Sequence, residues 1–390
     1  MNTLDALVKQ RYTKEVQALL EQSLVSFTLA NTTLISQMPD GKRINYPRPN
    51  YSSTAQYVKY TDMVDTEREY TEEFLEINRH PYTSFVIDVE DEQDIGWDMI
   101  SGETTRNAYL LREEIDGDFF AEYVNADNTN GTATALTIGA SQNVTTTYGI
   151  AYATLANNGV DTGRIGVVVD PFQLQTIGSA ALGNTFNVAD ASYKNGYTGG
   201  VFQGMKVFVS GNLTCEGALN IATNPTANDT VTINWVTFTF VATPTLAGDV
   251  DIGANAGASL DNLIAAVNWG AGAGTAYIAL SDNVRNNKLR GLTATKVGTT
   301  MVLTSKRGYK PVSSSLTAAA DKWGALTIHN IVMEKGAIHL VMRNEPRLVM
   351  EKVQKQLAQR FSTHARYGIK TFSDGAERMY DLRIVAQTAE

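Results

Sequence analysis

Residues 38 to 60, "MPDGKRINYPRPNYSSTAQYVKY", hold three prolines and four tyrosines. Each proline pushes the residue before it toward extended geometry, which favours an arm over a packed helix. Ahead of this stretch Leu4, Val8, Val16, Leu19, Leu20 and Leu24 form a near-helical stripe, so an amphipathic helix is expected over residues 4 to 24. Behind it an acidic stretch ends in "YTSFVIDVED", where Phe85 and Ile87 face away from Val86. An arm followed by a charged, two-stranded excursion has no core of its own. An isolated hairpin is marginal in water, and ordering a chain costs about 1–2 kcal/mol per residue. These pieces therefore have to be buried on neighbours.

The remainder reads as globular. In "SGETTRNAYLLREEIDGDFFAEYV", Ala108, Leu111, Ile115, Phe119 and Tyr123 recur at helical spacing behind Ser101, a candidate N-cap. Gly117 weakens that helix by about 1 kcal/mol relative to alanine. A second helix is expected near residues 146 to 158, ended by Gly159. "RIGVVVD" then reads as a buried strand, with Pro171 opening another helical turn. "GGVFQGMKVFVSGNL", "GAIHLVMRNEP", "ARYGIKTF" and "ERMYDLRIV" are further strand candidates, and "VQKQLAQRF" is ambiguous between a helical turn and a ribbon.

From about residue 216 to 325 charge thins, and Thr, Ala, Gly and Asn dominate. Within this segment, "NDTVTINWVTFTFVATP" alternates apolar Val231, Ile233, Val236, Phe238 and Phe240 with threonines, the pattern of a hairpin with one buried face. The helical pattern "ASLDNLIAAVN" follows, as does the hairpin-like "TATKVGTTMVLTSKR". The expected turn is Asn234-Trp235. Tryptophan disfavours the positive φ of a type I′ turn, so either a longer loop or an exposed, contact-making tryptophan is expected.

Catalytic chemistry is absent from the pattern. The histidines are His80, His329, His339 and His364, with no metal-binding pair at helical spacing. His339, alternating within "AIHLVM", reads as a sheet histidine. No G-x-S-x-G frame occurs, and "WGAGAGTAY" lacks the Lys and Ser/Thr of a phosphate loop. Cys215 is the sole cysteine, which excludes an internal disulfide and suits a small buried residue. No cofactor or metal is expected, nor an enzyme. The start of the chain lacks a secretory apolar centre and no run reaches a membrane span, which fits a cytoplasmic origin. The net charge of −9 argues against binding nucleic acid by phosphate neutralisation. Charge is segregated: residues 59 to 80 carry seven acids against three bases, net −4, and residues 343 to 378 carry eight bases against four acids, net +4.

The order of these parts resembles the major capsid proteins of tailed bacteriophages, the Hong Kong 97-type fold. "GVDTGRIGVVVDP" is similar to that family's glycine-arginine-strand-Asp-Pro run, and "ARYGIKTF" to its Tyr-Gly before a strand. The resemblance implies an α+β subunit. Its parts would be an N-terminal arm (1–50), an extended loop (51–90), a peripheral domain with the long helix (91–130 and 341–390) and an axial domain (131–215 and 326–340). Residues 216–325 would be a small, mainly-β inserted surface domain, similar to modules inserted in other phage structural proteins. The implied partners are the chain itself, as hexamers and pentamers, with a portal and scaffold, protease or decoration proteins, around double-stranded DNA bound without sequence specificity. The shell would be a virion capsid assembled in the host cytoplasm. Candidate intersubunit contacts are Tyr46 and Tyr51 of the arm, Glu67, Glu69, Glu72 and Glu73 of the loop, and Arg343, Arg347 and Lys352 of the peripheral domain. Alternatives are an encapsulin-like shell enclosing protein cargo and, more distantly, a carbohydrate-binding or adhesion protein.

Overall fold

The structure is a computed structural model that describes residues 25–34, 43–49, 56–63, 70–88, 99–130, 144–175, 177, 200–352 and 358–387. The expected helix at 4–24 lies outside them. Strands are numbered β1 to β18 along the chain. The chain divides into two compact units, residues 1–114 with 336–373, and residues 115–335 with 374–390.

In the first unit β1 (Arg43–Pro49) pairs antiparallel with β2 (Tyr70–Glu76). A separate three-stranded sheet has the order β16 (Ile338–Lys352), β17 (Ala358–Thr371), β3 (Tyr82–Asp88). "VQKQLAQRF" is thus extended from Ala358 onward. Under the β1–β2 ribbon Leu34, Ile44, Leu75, Ile77, Val341 and Phe372 are buried together, with Tyr46 packed on them.

The helix Met99–Phe120 begins two residues before Ser101, so Ser101 is not its cap. It continues as a 3-10 turn through Asn125, and Leu111, Ile115, Phe119 and Tyr123 are buried as their spacing requires. Gly117 is more than a tolerated weakness. A Cβ there would lie 2.7 Å from the carbonyl oxygen of Lys306, whose ammonium pairs with Asp118 at 2.7 Å, so only glycine admits this approach.

The second unit is built on one branched sheet. β15 (Leu326–Glu334) is buried along its whole length. One edge pairs with β18 (Met379–Gln387). The other edge is shared: Thr327 and Ile328 pair with β8 (Cys215–Asn220), and Ile331 to Glu334 pair with β5 (Ile165–Val169). β5 continues in parallel to β7 (Met205–Val209), while β8 leads to β13 (Thr300–Ser305) and β12 (Leu292–Val297). The helix Val144–Asn157 covers the β5 branch with Tyr148, Ala151 and Leu155 against Ile165, Val167, Val169, Met205 and Val332.

In the run "GVDTGRIGVVVDP" the charged residues each have a partner. Gly159 ends the helix at φ +79°, and Asp161 accepts from the N–H of Gly163 at 3.0 Å. Arg164 pairs with Glu334 at 3.2 Å, and Asp170 accepts from the N–H of Phe172 at 2.9 Å just inside the turn that Pro171 opens.

The expected hairpin of residues 230–241 is present as β9 (Thr230–Ile233) and β10 (Val236–Val241), with all five alternating apolar side chains buried. They belong to a four-stranded sheet of order β11 (Asp249–Asp251), β10, β9, β14 (Val312–Ser315). The helix Ala256–Asn268, capped by the Asn255 side chain on the N–H of Ala258 at 2.9 Å, buries Leu260, Leu263 and Val267. Of the two expectations for the turn, the loop is not longer. Asn234 and Trp235 both take positive φ, +46° and +65°, and Trp235 is 78% exposed. Residue 216 falls inside β8, so backbone pairing ties this segment to β15.

Candidate functional site

The candidate contact residues that the structure describes fall on the first unit's ribbons. In the β1–β2 ladder Tyr46 lies opposite Glu73, and Pro47 opposite Glu72. The inward face carries Ile44 and Leu75, and Tyr46 stacks on Phe372 with ring centroids 4.9 Å apart. Glu73 accepts from the N–H of Ser373 at 3.1 Å and from its hydroxyl. Tyr46 and Glu73 therefore have partners in their own chain, whereas Glu72 is exposed. Arg347 and Lys352 lie on β16 opposite His364 and Gln359, and Arg343 sits at a shift in that register. Tyr51, Glu67 and Glu69 lie outside the described residues.

Part of the acidic segment already lies against the basic one within a single chain. Arg79 and Tyr367 exchange backbone hydrogen bonds at 3.1 Å. The carbonyl of Glu76 sits over Gly368, where a Cβ would collide with it. This contact was not visible in the sequence, because nothing local distinguishes a strand that pairs within its chain from one that pairs between chains.

The same stretch leaves large apolar groups in solvent. Tyr57, Val58, Tyr60, Met63, Tyr70, Phe74, Tyr82 and Val86 are all exposed, Tyr60 at 91% and Met63 at 78%. Tyr60 also takes φ +69°, a left-handed conformation uncommon for a bulky residue. Arg43 places its guanidinium 3.5 Å above the ring of Phe74, which shields one face only. Large apolar side chains left exposed among charged ones suit an interaction surface.

The second unit holds a polar cluster that spacing alone does not reveal. His329 of β15 is buried, and its Nδ1–H donates to the carboxylate of Asp381 on β18 at 2.9 Å. Its Nε2 lies 3.5 Å from Glu216 of β8, and the ring stacks on Tyr123 at 3.8 Å between centroids. Tyr123 donates its hydroxyl to Glu216 at 2.7 Å. The contact with His329, helped by Tyr123 and opposed by burial, draws Glu216 down to about 2. Burial pulls His329 downward, but its contacts with Asp381 and Glu216 outweigh this and leave it raised. Burial and the Glu216 contact push the Tyr123 hydroxyl up. These groups form a charge-assisted clamp across three strands and the end of the long helix. A signal existed: His329 and Asp381 inside the largely apolar "LTIHNIVM" and "MYDLRIV" require partners when buried. Cys215, next to Glu216, is buried and its thiol is pushed up to about 12, so it is inert.

No family model and no curated protein matches the sequence. Solved structures do match. A structure from Mycobacterium phage Che8 aligns over 92% of this chain and 90% of its own, with a TM-score of 0.53 at 11% identity. The capsid structure of the cyanophage P-SCSP1u aligns over 94% and 89%, with a TM-score of 0.51 at 12% identity. The chain has the fold of these phage structures, a mixed α+β fold shared along nearly its whole length.

Proposed function

We propose that the chain is the major capsid protein of a tailed bacteriophage, a Hong Kong 97-type coat subunit. It assembles as hexamers and pentamers into an icosahedral shell around double-stranded DNA. The exposed side chains of Tyr57, Val58, Tyr60, Met63, Tyr70 and Phe74 carry this assignment, since large apolar groups left in solvent on a two-stranded ribbon and the segment before β2 need a neighbouring subunit to cover them. The likeness to the P-SCSP1u capsid supports it, and a net charge of −9 suits a wall that does not grip packaged DNA. The proposed layout is an arm (1–50), an extended loop (51–90), a peripheral domain (91–130, 341–390), an axial domain (131–215, 326–340) and an inserted surface domain (216–325) rooted in the axial sheet through β8. The shell forms in the host cytoplasm and persists in the virion. A portal and scaffold, protease or decoration proteins are its further partners.

Glu72, with Glu67 and Glu69, is proposed to meet Arg343, Arg347 and Lys352 of an adjacent subunit. Each rim pair contributes only about 0–1 kcal/mol and is screened over about 8 Å at physiological salt. Repetition at every contact makes the sum govern assembly rate. Assembly should slow at high salt, and Glu72→Lys should impair it with partial rescue by Arg347→Glu. Equal rates at low and high salt would remove the charge contact without touching the apolar one. The assignment itself is tested by expressing the full chain and examining it by negative-stain microscopy and sedimentation. Closed shells are expected. A chain that stays monomeric at about 100 μM overturns it, and shells filled with enzyme in place of DNA would identify an encapsulin-like container.

A further inference from the structure

A cavity of about 500 Å³ opens beside β12, the strand at the end of the branched sheet. Its walls come from the end of the helix Ala256–Asn268, from the short helix Asp282–Lys288 with the turn after it, and from β12. The volume is in the range of small-ligand sites, about 300–1,000 Å³. Two arginines, Arg285 and Arg290, line it, and no carboxylate does. In a chain of net charge −9 this is a local reversal of sign.

Arg285 is held in place. Its guanidinium lies 4.3 Å over the ring of Trp269, and among the described residues it has no ion-pair partner. Trp269 is itself fixed at the end of its helix, with φ +55° and its N–H bonded to the carbonyl of Ala265. Stacking on one face leaves the edge of the guanidinium, where its donors lie, free for an oxyanion. The wall behind is equally fixed: Asn268 donates to the carbonyl of Ala294 at 2.6 Å and accepts its N–H at 2.8 Å, so the strand edge is closed to a peptide there. Asn286 and Thr295 add an amide and a hydroxyl, and Leu289 and Leu292 add apolar surface.

From this set the geometry points to a binding site for an acidic sugar, an anion carried on a saturated, hydroxyl-bearing ring. The Arg285 guanidinium takes the charge, and the Asn286 amide and the Thr295 hydroxyl take ring hydroxyls, with the edges of Leu289 and Leu292 beneath the C–H face. No aromatic ring lines the cavity, which removes the stacking platform a nucleobase needs. The anion can be a carboxylate or a phosphate, since either fits the arginine fork.

The full-length chain is titrated calorimetrically with glucuronic acid and with glucose 6-phosphate, alongside glucose and inorganic phosphate, while tryptophan fluorescence is recorded. At least one acidic sugar should bind with a Kd below about 1 mM, and the stronger arm identifies the anion. Arg285→Gln, a change at an exposed position, should weaken that binding about tenfold or more and remove the fluorescence response. Absence of binding by both acidic sugars, equal binding of inorganic phosphate or of neutral glucose, or an unchanged affinity in Arg285→Gln overturns the proposal. Shell assembly is a separate readout.

Discussion

The β1–β2 ribbon and the β9–β10 hairpin are both antiparallel pairs with alternating side chains, yet they meet opposite fates. In β9–β10 the apolar face, Val231, Ile233, Val236, Phe238 and Phe240, is covered within the same chain. In β1–β2, Ile44 and Leu75 are covered, while Tyr70 and Phe74 face solvent and the residues linking the strands expose Tyr57, Tyr60 and Met63. Apolar content does not separate the two. What separates them is whether the covering layer belongs to the same molecule, as it does for the threonine-rich hairpin. On the proposed function, the ribbon is completed by a second copy.

The comparison breaks most visibly in the hairpin's core. Phe238 is 1% exposed in the middle of β10. Phe238→Ala should lower unfolding stability by about 3–5 kcal/mol, the usual cost of emptying a buried aromatic site. Urea denaturation monitored by circular dichroism measures it. A loss under 1 kcal/mol would mean that the hairpin is not a packed layer.

On the ribbon the same kind of change should act on association. The triple variant Tyr57→Ser, Tyr60→Ser, Met63→Ser removes exposed groups, so the subunit's own stability should shift by less than about 1 kcal/mol. If these side chains anchor a neighbour, each contributes about 1–2 kcal/mol of contact. The subunit concentration needed for shells should then rise at least tenfold, read by light scattering and sedimentation. Unfolding of the variant subunit, or unchanged assembly, would erase the distinction between the two regions.

Much of this could be read along the chain. The alternation of Val231 to Phe240, the helical spacing of Leu111 to Tyr123 and the punctuation by Gly159, Asp161, Asp170 and Pro171 are local signals, and the structure realises them. Long-range pairing could not. The change of composition near residue 216 suggests a boundary, but β8 runs through it, because ladder hydrogen bonds are made by the backbone whatever the side chains. Tyr46 and Glu73, read as contacts for a neighbour, also have Phe372 and Ser373 beside them in their own chain, which no local pattern announces. The Gly117 gap reflects a carbonyl that arrives from residue 306.

The buried clamp gives the second unit a pH signature. Glu216 is depressed, so its stabilisation is complete above about 4.5 and is lost as pH falls toward about 2. His329 is raised, so its stabilisation is complete below its ordinary value near 6.5 and is lost as pH rises through the higher folded value. Tyr123, Asp381 and Arg383 are the other charged or titratable groups facing the pair. Thermal unfolding of the wild type should therefore show a plateau in mildly acidic solution with falls on both sides. Glu216→Gln should flatten the acid side. A variant as acid-sensitive as the wild type would assign that limb to other carboxylates.

The smallest effect concerns the tip of the self-covered hairpin. A non-glycine residue held at positive φ costs on the order of 1 kcal/mol, and Asn-Gly is the favoured pair for a two-residue turn. Trp235 occupies the glycine position at φ +65°, and its side chain is mostly in solvent, so little packing offsets the strain. Asn234 is anchored independently: its amide donates to the carbonyl of Lys288 at 2.6 Å, and its N–H to the carbonyl of Pro311 at 2.8 Å. Trp235→Gly should therefore keep the turn and raise stability by about 0.5–1 kcal/mol, less the entropy that glycine adds to the unfolded chain. Chemical denaturation of the subunit, with an unchanged slope, gives the value. A stabilised variant would show that the tryptophan is retained for something outside the subunit's own fold, and the hairpin would then share with the ribbon one group kept waiting for a partner. A destabilised variant would place the tryptophan among the hairpin's own contacts and leave the contrast between the two regions complete.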